Sequence, residues 1–222
     1  MEKKYELTEK TMKLDDRILY RIKALKDFGD VKKGDLGGFI ESEENLSQKD
    51  LCWVYENAKV SGNAKVFGDA WVYGSAEVCG NAKVYGNAKV YGSAEVFGDA
   101  KVCEEAKVRG NAIISGNAKV FGDAEVFGNA YVYGNAEVSD DAYITSNDHL
   151  ASVAGFGSIN RTTTFYLSKD NTVRVVCGCF KGTLDEFRKT VREKYPDSHY
   201  GKEYLLIADL MEERFKNRWN LI

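Results

Sequence analysis

Proline occurs once in 222 residues and histidine twice, as His149 and His199. One proline among 21 glycines is neither a collagen pattern nor a proline-rich linker. No apolar run approaches the roughly eighteen residues that a membrane-crossing helix needs. Charge of one sign is also scarce, at a formal net of −3, so nothing suggests bulk electrostatic attraction to nucleic acid or anionic membrane. The five cysteines, Cys52, Cys79, Cys103, Cys177 and Cys179, are odd in number and contain no C-x-x-C pair. Such a set predicts reduced thiols in a reducing compartment. The opening MEKKYELTEK lacks the apolar core of a signal peptide. The expected location is the cytoplasm of a bacterial or infected host cell. Hydrophobic residues at 44% and charged residues at 29% predict an ordered chain.

What the chain has in abundance is a repeat. From Val54 to Ile144 an aliphatic residue returns at every sixth position, and alanine follows four residues later from Ala58 to Ala142. Gly-Asn, Gly-Asp or Gly-Ser lies between them in most copies, as in Val84-Tyr85-Gly86-Asn87-Ala88-Lys89. Ala-x-Val reads as a short strand whose first and third side chains face one way. Both are compact enough to line a narrow interior. Gly-Asn reads as a corner, because glycine and asparagine tolerate a positive φ. A strand and a corner every six residues form one side of a prism, and three sides close a coil of eighteen. The repeat then supplies about five coils, which at the usual strand spacing give a rod about 25 Å long.

A second period supports three sides rather than two. Tyr55, Tyr73 and Tyr91 are eighteen apart, as are Lys65, Lys83, Lys101 and Lys119 and the Gly-Ser-Ala-Glu blocks at Gly74 and Gly92. A two-sided coil of twelve residues would bring different partners together.

The V-x-G-N-A-x unit resembles the hexapeptide repeat of left-handed β-helices. The preceding segment carries Asp27-Phe28-Gly29-Asp30-Val31-Lys32, then Gly37-Gly38-Phe39-Ile40, Asn45-Leu46-Ser47-Gln48 and Cys52-Trp53-Val54-Tyr55-Glu56-Asn57-Ala58. It is similar to the leading segment of YdcK-like β-solenoid proteins of bacteria and their phages. This resemblance spans roughly residues 20–149 and implies a left-handed β-helix. The transferase label those proteins often bear rests on the hexapeptide fold.

Open solenoid ends need caps. Residues 1–53 are read as an N-terminal cap and lead-in coil, with strands at Tyr5–Thr8 and Ile18–Ile22 around a turn at Leu14-Asp15-Asp16. The six-residue step from Ile40 to Leu46 suggests an irregular first coil. Residues 54–149 form the solenoid. Residues 150–222 read as a ββαα module. Its strands flank Asp170-Asn171, a capping box at Thr183-Leu184-Asp185-Glu186 opens one helix, and a last helix runs from about Gly201 to Trp219. The string from Val176 to Phe187 resembles a C-terminal module of phage and prophage repeat proteins, which implies a viral or prophage origin. The module carries a net +3 and residues 54–149 a net −5.

Hexapeptide acyltransferases use a histidine base at a subunit boundary, but no histidine lies between Val54 and Asp148. His149 reads as a surface or capping residue. Metal-binding relatives of the fold need three histidines per site. Cys177 and Cys179, two apart on one predicted strand, read as core packing rather than a metal or redox pair. No catalytic residue, metal centre or cofactor is predicted.

One side stands out. The strands beginning at Ala70, Ala88, Ala106 and Ala124 stack Trp71 and Tyr73, Lys89 and Tyr91, Lys107 and Arg109, then Glu125 and Phe127. Three readings fit it: a solvated ladder, a protein-contact face, and a nucleotide or nucleic-acid platform. The candidate binding residues are Trp71, Tyr73, Lys89, Tyr91, Lys107 and Arg109. The Lys65–Lys119 row reads as a solubilising stripe. The side with Lys59, Glu77, Glu95, Ile113 and Tyr131 reads as an oligomer seam. The chain is expected to be a homo-oligomeric, non-enzymatic phage-type scaffold that binds protein, in one version a component of host defence. The alternatives are a nucleotide or nucleic-acid binder and an acyltransferase-like enzyme.

Overall fold

The computed structural model describes residues 2–157 and 159–216. The expected helix end at Trp219 lies outside them. Among the described residues no helix is long and apolar enough to cross a membrane.

The chain is mainly β. Its centre is a parallel solenoid of about six turns with three sides, and each rung is a two-residue strand of the form x-Val or x-Ile. The inward valines and isoleucines from Val54 to Ile144 and the alanines from Ala58 to Ala142 are all buried. Each inward valine is worth about 1.5–3 kcal/mol by burial alone. Pairing follows the eighteen-residue period: Lys89 lies beside Trp71 on one flank and Lys107 on the other. The backbone is bonded in the same register, with Lys89 N–H donating to Ala106 O at 2.9 Å and Tyr91 N–H to Val108 O at 2.9 Å.

The corner glycines hold positive φ, as expected of the Gly-Asn steps; Gly98 has φ +71°. Amides at the next position form short ladders between turns, such as Asn63 to Asn81 at 3.0 Å and Asn117 to Asn135 at 3.1 Å. Three corner positions hold an acidic residue at positive φ whose side chain accepts from a glycine N–H one turn on. Glu56 takes Gly74 at 2.8 Å, Glu104 takes Gly122 at 2.9 Å, and Asp50 takes Gly68 at 3.3 Å.

At the N-terminal end, strands β1 (Tyr5–Leu14) and β2 (Arg17–Ala24) form an antiparallel hairpin that pairs with β3 (Leu36–Ile40). The turn at Asp15-Asp16 is as expected, but both strands are longer than the sequence suggests. β3 turns parallel to the solenoid and stacks Ile40 on Val60, while Leu46 bridges Val66. Those partners are twenty residues apart, whereas Trp53 and Trp71 are eighteen apart. The first turn therefore carries two extra residues between Leu46 and Trp53.

Lys4 secures that bulge. Its buried ammonium donates to Lys49 O at 3.0 Å, Asp50 O at 3.3 Å and Cys52 O at 2.9 Å. Burial pulls its pKa down, partly offset by Cys52. The Tyr5 hydroxyl donates to Leu46 O at 2.7 Å, and the rings of Tyr5 and Phe28 cover Trp53. Gly37 and Gly38 sit where a side chain would strike the first turn, since added Cβ atoms would lie 2.6 Å from Val54 O and 2.5 Å from Ala58 O.

The C-terminal module differs from the expected ββαα. It is a four-stranded antiparallel sheet, β4 (Leu150–Phe156), β5 (Arg161–Leu167), β6 (Val173–Cys177) and β7 (Phe180–Thr183), followed by α1 (Leu184–Lys194) and α2 (His199–Lys216). The β5–β6 hairpin and the Thr183–Glu186 capping box are as read from the sequence. The two outer strands carry weak sequence signals: Gly155 interrupts β4, and β7 is short and joined to β6 by a two-residue turn. That turn corrects the cysteine reading. Cys177 ends β6 and pairs with Phe180, while Cys179 sits exposed in the turn beside Gly178, so the two do not share a strand face.

Strand alternation on β5 joins the two units. Phe165 and Leu167 enter the module core with Phe187 and Phe215, and Tyr166 enters the solenoid core. The Tyr166 and Ser139 hydroxyls lie 3.1 Å apart. The Thr164 hydroxyl accepts from Glu137 N–H at 3.0 Å, and Arg174 pairs with Asp141 at 3.0 Å. These contacts close the last turn.

Candidate functional site

The six sequence-predicted residues lie together on one side of the solenoid. Trp71, Lys89 and Lys107 occupy successive rungs, between Trp53 above and Glu125 and Tyr143 below. Tyr73, Tyr91 and Arg109 form the adjacent column because each follows the inward valine of its rung by one residue. All six are half-buried rather than fully exposed, since each packs on a neighbour one turn away.

Those packings divide the strip into two parts. In the upper part, the Lys89 ammonium lies 4.7 Å from the Trp71 ring centre. Tyr73 and Tyr91 stack at 4.6 Å with planes 5° apart. Tyr55 meets Trp71 edge-on at 5.8 Å. In the lower part, the Arg109 guanidinium lies 3.8 Å from the Phe127 ring centre. Glu125 gathers three cations: Lys169 at 3.1 Å, Lys107 at 3.7 Å and Arg109 at 3.9 Å. Burial alone would raise the Glu125 pKa, but Lys169, Lys107 and Arg109 together hold it below its ordinary value. Burial, then the neighbouring Tyr91 and Glu56, push the Tyr73 phenol up.

Three contributors escaped the strip as read from sequence. Tyr55 extends it upward and was legible only as part of the eighteen-residue tyrosine series. Asp30, which lies beside Tyr55 and Trp71, and Lys169, which pairs with Glu125, come from the two caps, where no period indicates which rung they meet.

Elsewhere, His149 is buried in a one-turn helix at the solenoid's end, its Nδ1 3.2 Å from the Thr145 hydroxyl. It is a capping residue within the fold. Among the described residues, no group of three or more His, Cys, Asp or Glu side chains is placed to hold a metal ion. The other two sides carry the expected rows. Lys65, Lys83, Lys101 and Lys119 stack on one, with Glu137 paired to Lys119 at 2.6 Å. Lys59, Glu77, Glu95, Ile113 and Tyr131 stack on the other, and Tyr131 and Tyr133 are exposed at its lower end. Compared with known proteins, the chain matches no family model and no curated sequence.

Proposed function

We propose that this chain is a non-enzymatic scaffold of phage or prophage type, working in the cytoplasm of a bacterial or infected host cell. It presents the strip from Trp71 to Arg109 to a protein partner, which in one version is a component of host defence. The observation that carries the reading is the internal ordering of the strip. Its rings and cations are locked against one another before any ligand arrives. A face of Trp, Tyr and Arg already fixed in place loses little side-chain entropy on binding, and these residue types dominate binding hot spots. The nucleotide reading draws less support, because Lys107 and Arg109 are engaged by Glu125 and would have to leave it to hold phosphate. Self-association would use the exposed Tyr131 and Tyr133 on the seam side and leave the strip free.

The test is a photo-crosslinking residue at exposed Ser93, beside Tyr91, expressed in infected cells. The crosslinked protein is then purified and its binding measured by calorimetry. Replacing Trp71 and Tyr91 with alanine should weaken binding by about 1–3 kcal/mol per ring. Rebinding of the double variant at wild-type strength would refute the reading.

A further inference from the structure

We infer that the hollow between Asp30, Tyr55, Glu56, Trp71 and Tyr73 receives an arginine guanidinium from the protein partner. This rests on the reading of the strip as a contact face and names the chemistry at its upper end.

The hollow has a volume of about 340 Å³ and is lined by those five residues alone. Three are aromatic, two are carboxylates and none is basic. Tyr55 and Trp71 meet edge to face, so the wall is an angled pair of rings rather than one flat plate. Ring faces carry negative quadrupole potential and attract a cation laid over them. The chain demonstrates this locally, since Lys89 lies over Trp71 from the neighbouring hollow. That neighbour, about 300 Å³, shares Asp30, Tyr55 and Trp71 and adds the carboxylates of Asp69 and Glu105.

The carboxylates are available. Glu56 uses one oxygen to accept from Gly74 N–H at 2.8 Å, and its other oxygen has no donor among the described residues. Asp30 is exposed on the cap loop and close enough for its charge to help raise the Tyr55 phenol, after burial. Two negative groups facing three rings exclude a phosphate by repulsion. An aliphatic side chain would strip water from the carboxylates without replacing it. A guanidinium satisfies both walls, stacking its plane on a ring and donating along its edge to carboxylate oxygen. The space equals roughly ten water volumes, enough for one long side chain.

The experiment titrates 15N-labelled protein with acetyl-Gly-Arg-Gly-amide and, separately, with the citrulline peptide, which has the same shape without the charge. The Trp71 indole signal is assigned by its loss in Trp71→Phe. The arginine peptide should move that signal at least about fivefold more tightly than the citrulline peptide. The Asp30→Asn/Glu56→Gln double variant should remove that preference while leaving the remaining spectrum in place, since glutamine keeps the acceptor for Gly74 N–H. Equal response to both peptides, no response to either, or an arginine preference that survives the double variant would overturn the inference. The crosslinked partner separates this from the reading beneath it. If the partner is lost with the Trp71 and Tyr91 alanines but the arginine preference is absent, the strip stands and the hollow's assignment falls. If the partner ignores those alanines, the strip itself falls.

Discussion

The corner glycines permit a paired experiment in which one cost is shared and the other is not. Gly98 and Gly134 occupy the same corner column and have nearly the same backbone, φ +71° and φ +65°. A Cβ added at Gly98 would lie 2.9 Å from Gly116 N and 3.0 Å from Gly116 O, both backbone atoms of the next turn. A Cβ added at Gly134, the last glycine of the column, would meet nothing within 4 Å. Alanine at either position has the left-handed cost of about 1–2 kcal/mol. Part of it is offset by about 0.4–1 kcal/mol from restricting the unfolded chain. Only Gly98→Ala adds overpacking, worth about 1–3 kcal/mol, because backbone hydrogen-bonded on both sides cannot move aside. Gly98→Ala should therefore be the less stable variant by about 1–3 kcal/mol. Urea melts followed by far-ultraviolet circular dichroism measure the difference as separated midpoints at a common slope. Coincident midpoints would mean that the turns separate at no cost, and that glycine is there for φ alone.

Three further outcomes are expected. Val90→Arg would place an unpaired charge inside a closed prism, a loss of several kcal/mol, and wild-type melting in that variant would overturn the inward assignment. Lys4→Met keeps the length of the side chain but strands the carbonyls of Lys49, Asp50 and Cys52, so the unfolding free energy from urea melts should fall by about 1–3 kcal/mol; an unchanged urea midpoint would remove Lys4 from its role. Asp170 is drawn from 3.8 to about 2 by the hydroxyls of Ser168 and Thr172 and the Thr172 N–H. With the folded pKa depressed, its stabilisation is complete above 3.8 and is lost as pH falls toward about 2. Asp170→Asn should flatten the acid limb of the melting temperature in that window, and a parallel limb would count against the assignment.

The solenoid was legible because its two constraints act on every residue of the repeat. A narrow interior selects Val and Ala, and a tight corner selects Gly with a small polar residue, so period and chemistry coincide. The strip followed directly, since residues eighteen apart must become neighbours. What the repeat could not convey was what the caps add to the strip. Lys107 meets Glu125 by the eighteen-residue step, but the third cation on Glu125, Lys169, comes from a different unit. Lys4 was unreadable for a related reason. A lysine near the N terminus reads as solvated, and only the two-residue excess between Leu46 and Trp53 creates inward-facing carbonyls for it. The module's outer strands escaped because β7 is short and β4 ends in glycine-rich chain, while the inner hairpin is rich in β-branched and aromatic residues.

The uniform register of the turns makes the solenoid a spacer of quantised length. Each turn bonds only to the turns above and below it, and both ends are closed by units that do not repeat. Deleting or duplicating eighteen residues within the regular region would leave every surviving backbone hydrogen bond between turns with an equivalent partner. The N-terminal hairpin and the C-terminal module would then approach or separate in steps of about 4.8 Å. Inserting one hexad would add a side and turn the following unit by a third of a revolution, whereas an insertion that is not a multiple of six must be accommodated outside the repeat, as the two extra residues of the first turn are. A lineage carrying this architecture can thus retune the distance between its two ends by copying whole turns, without redesigning either end.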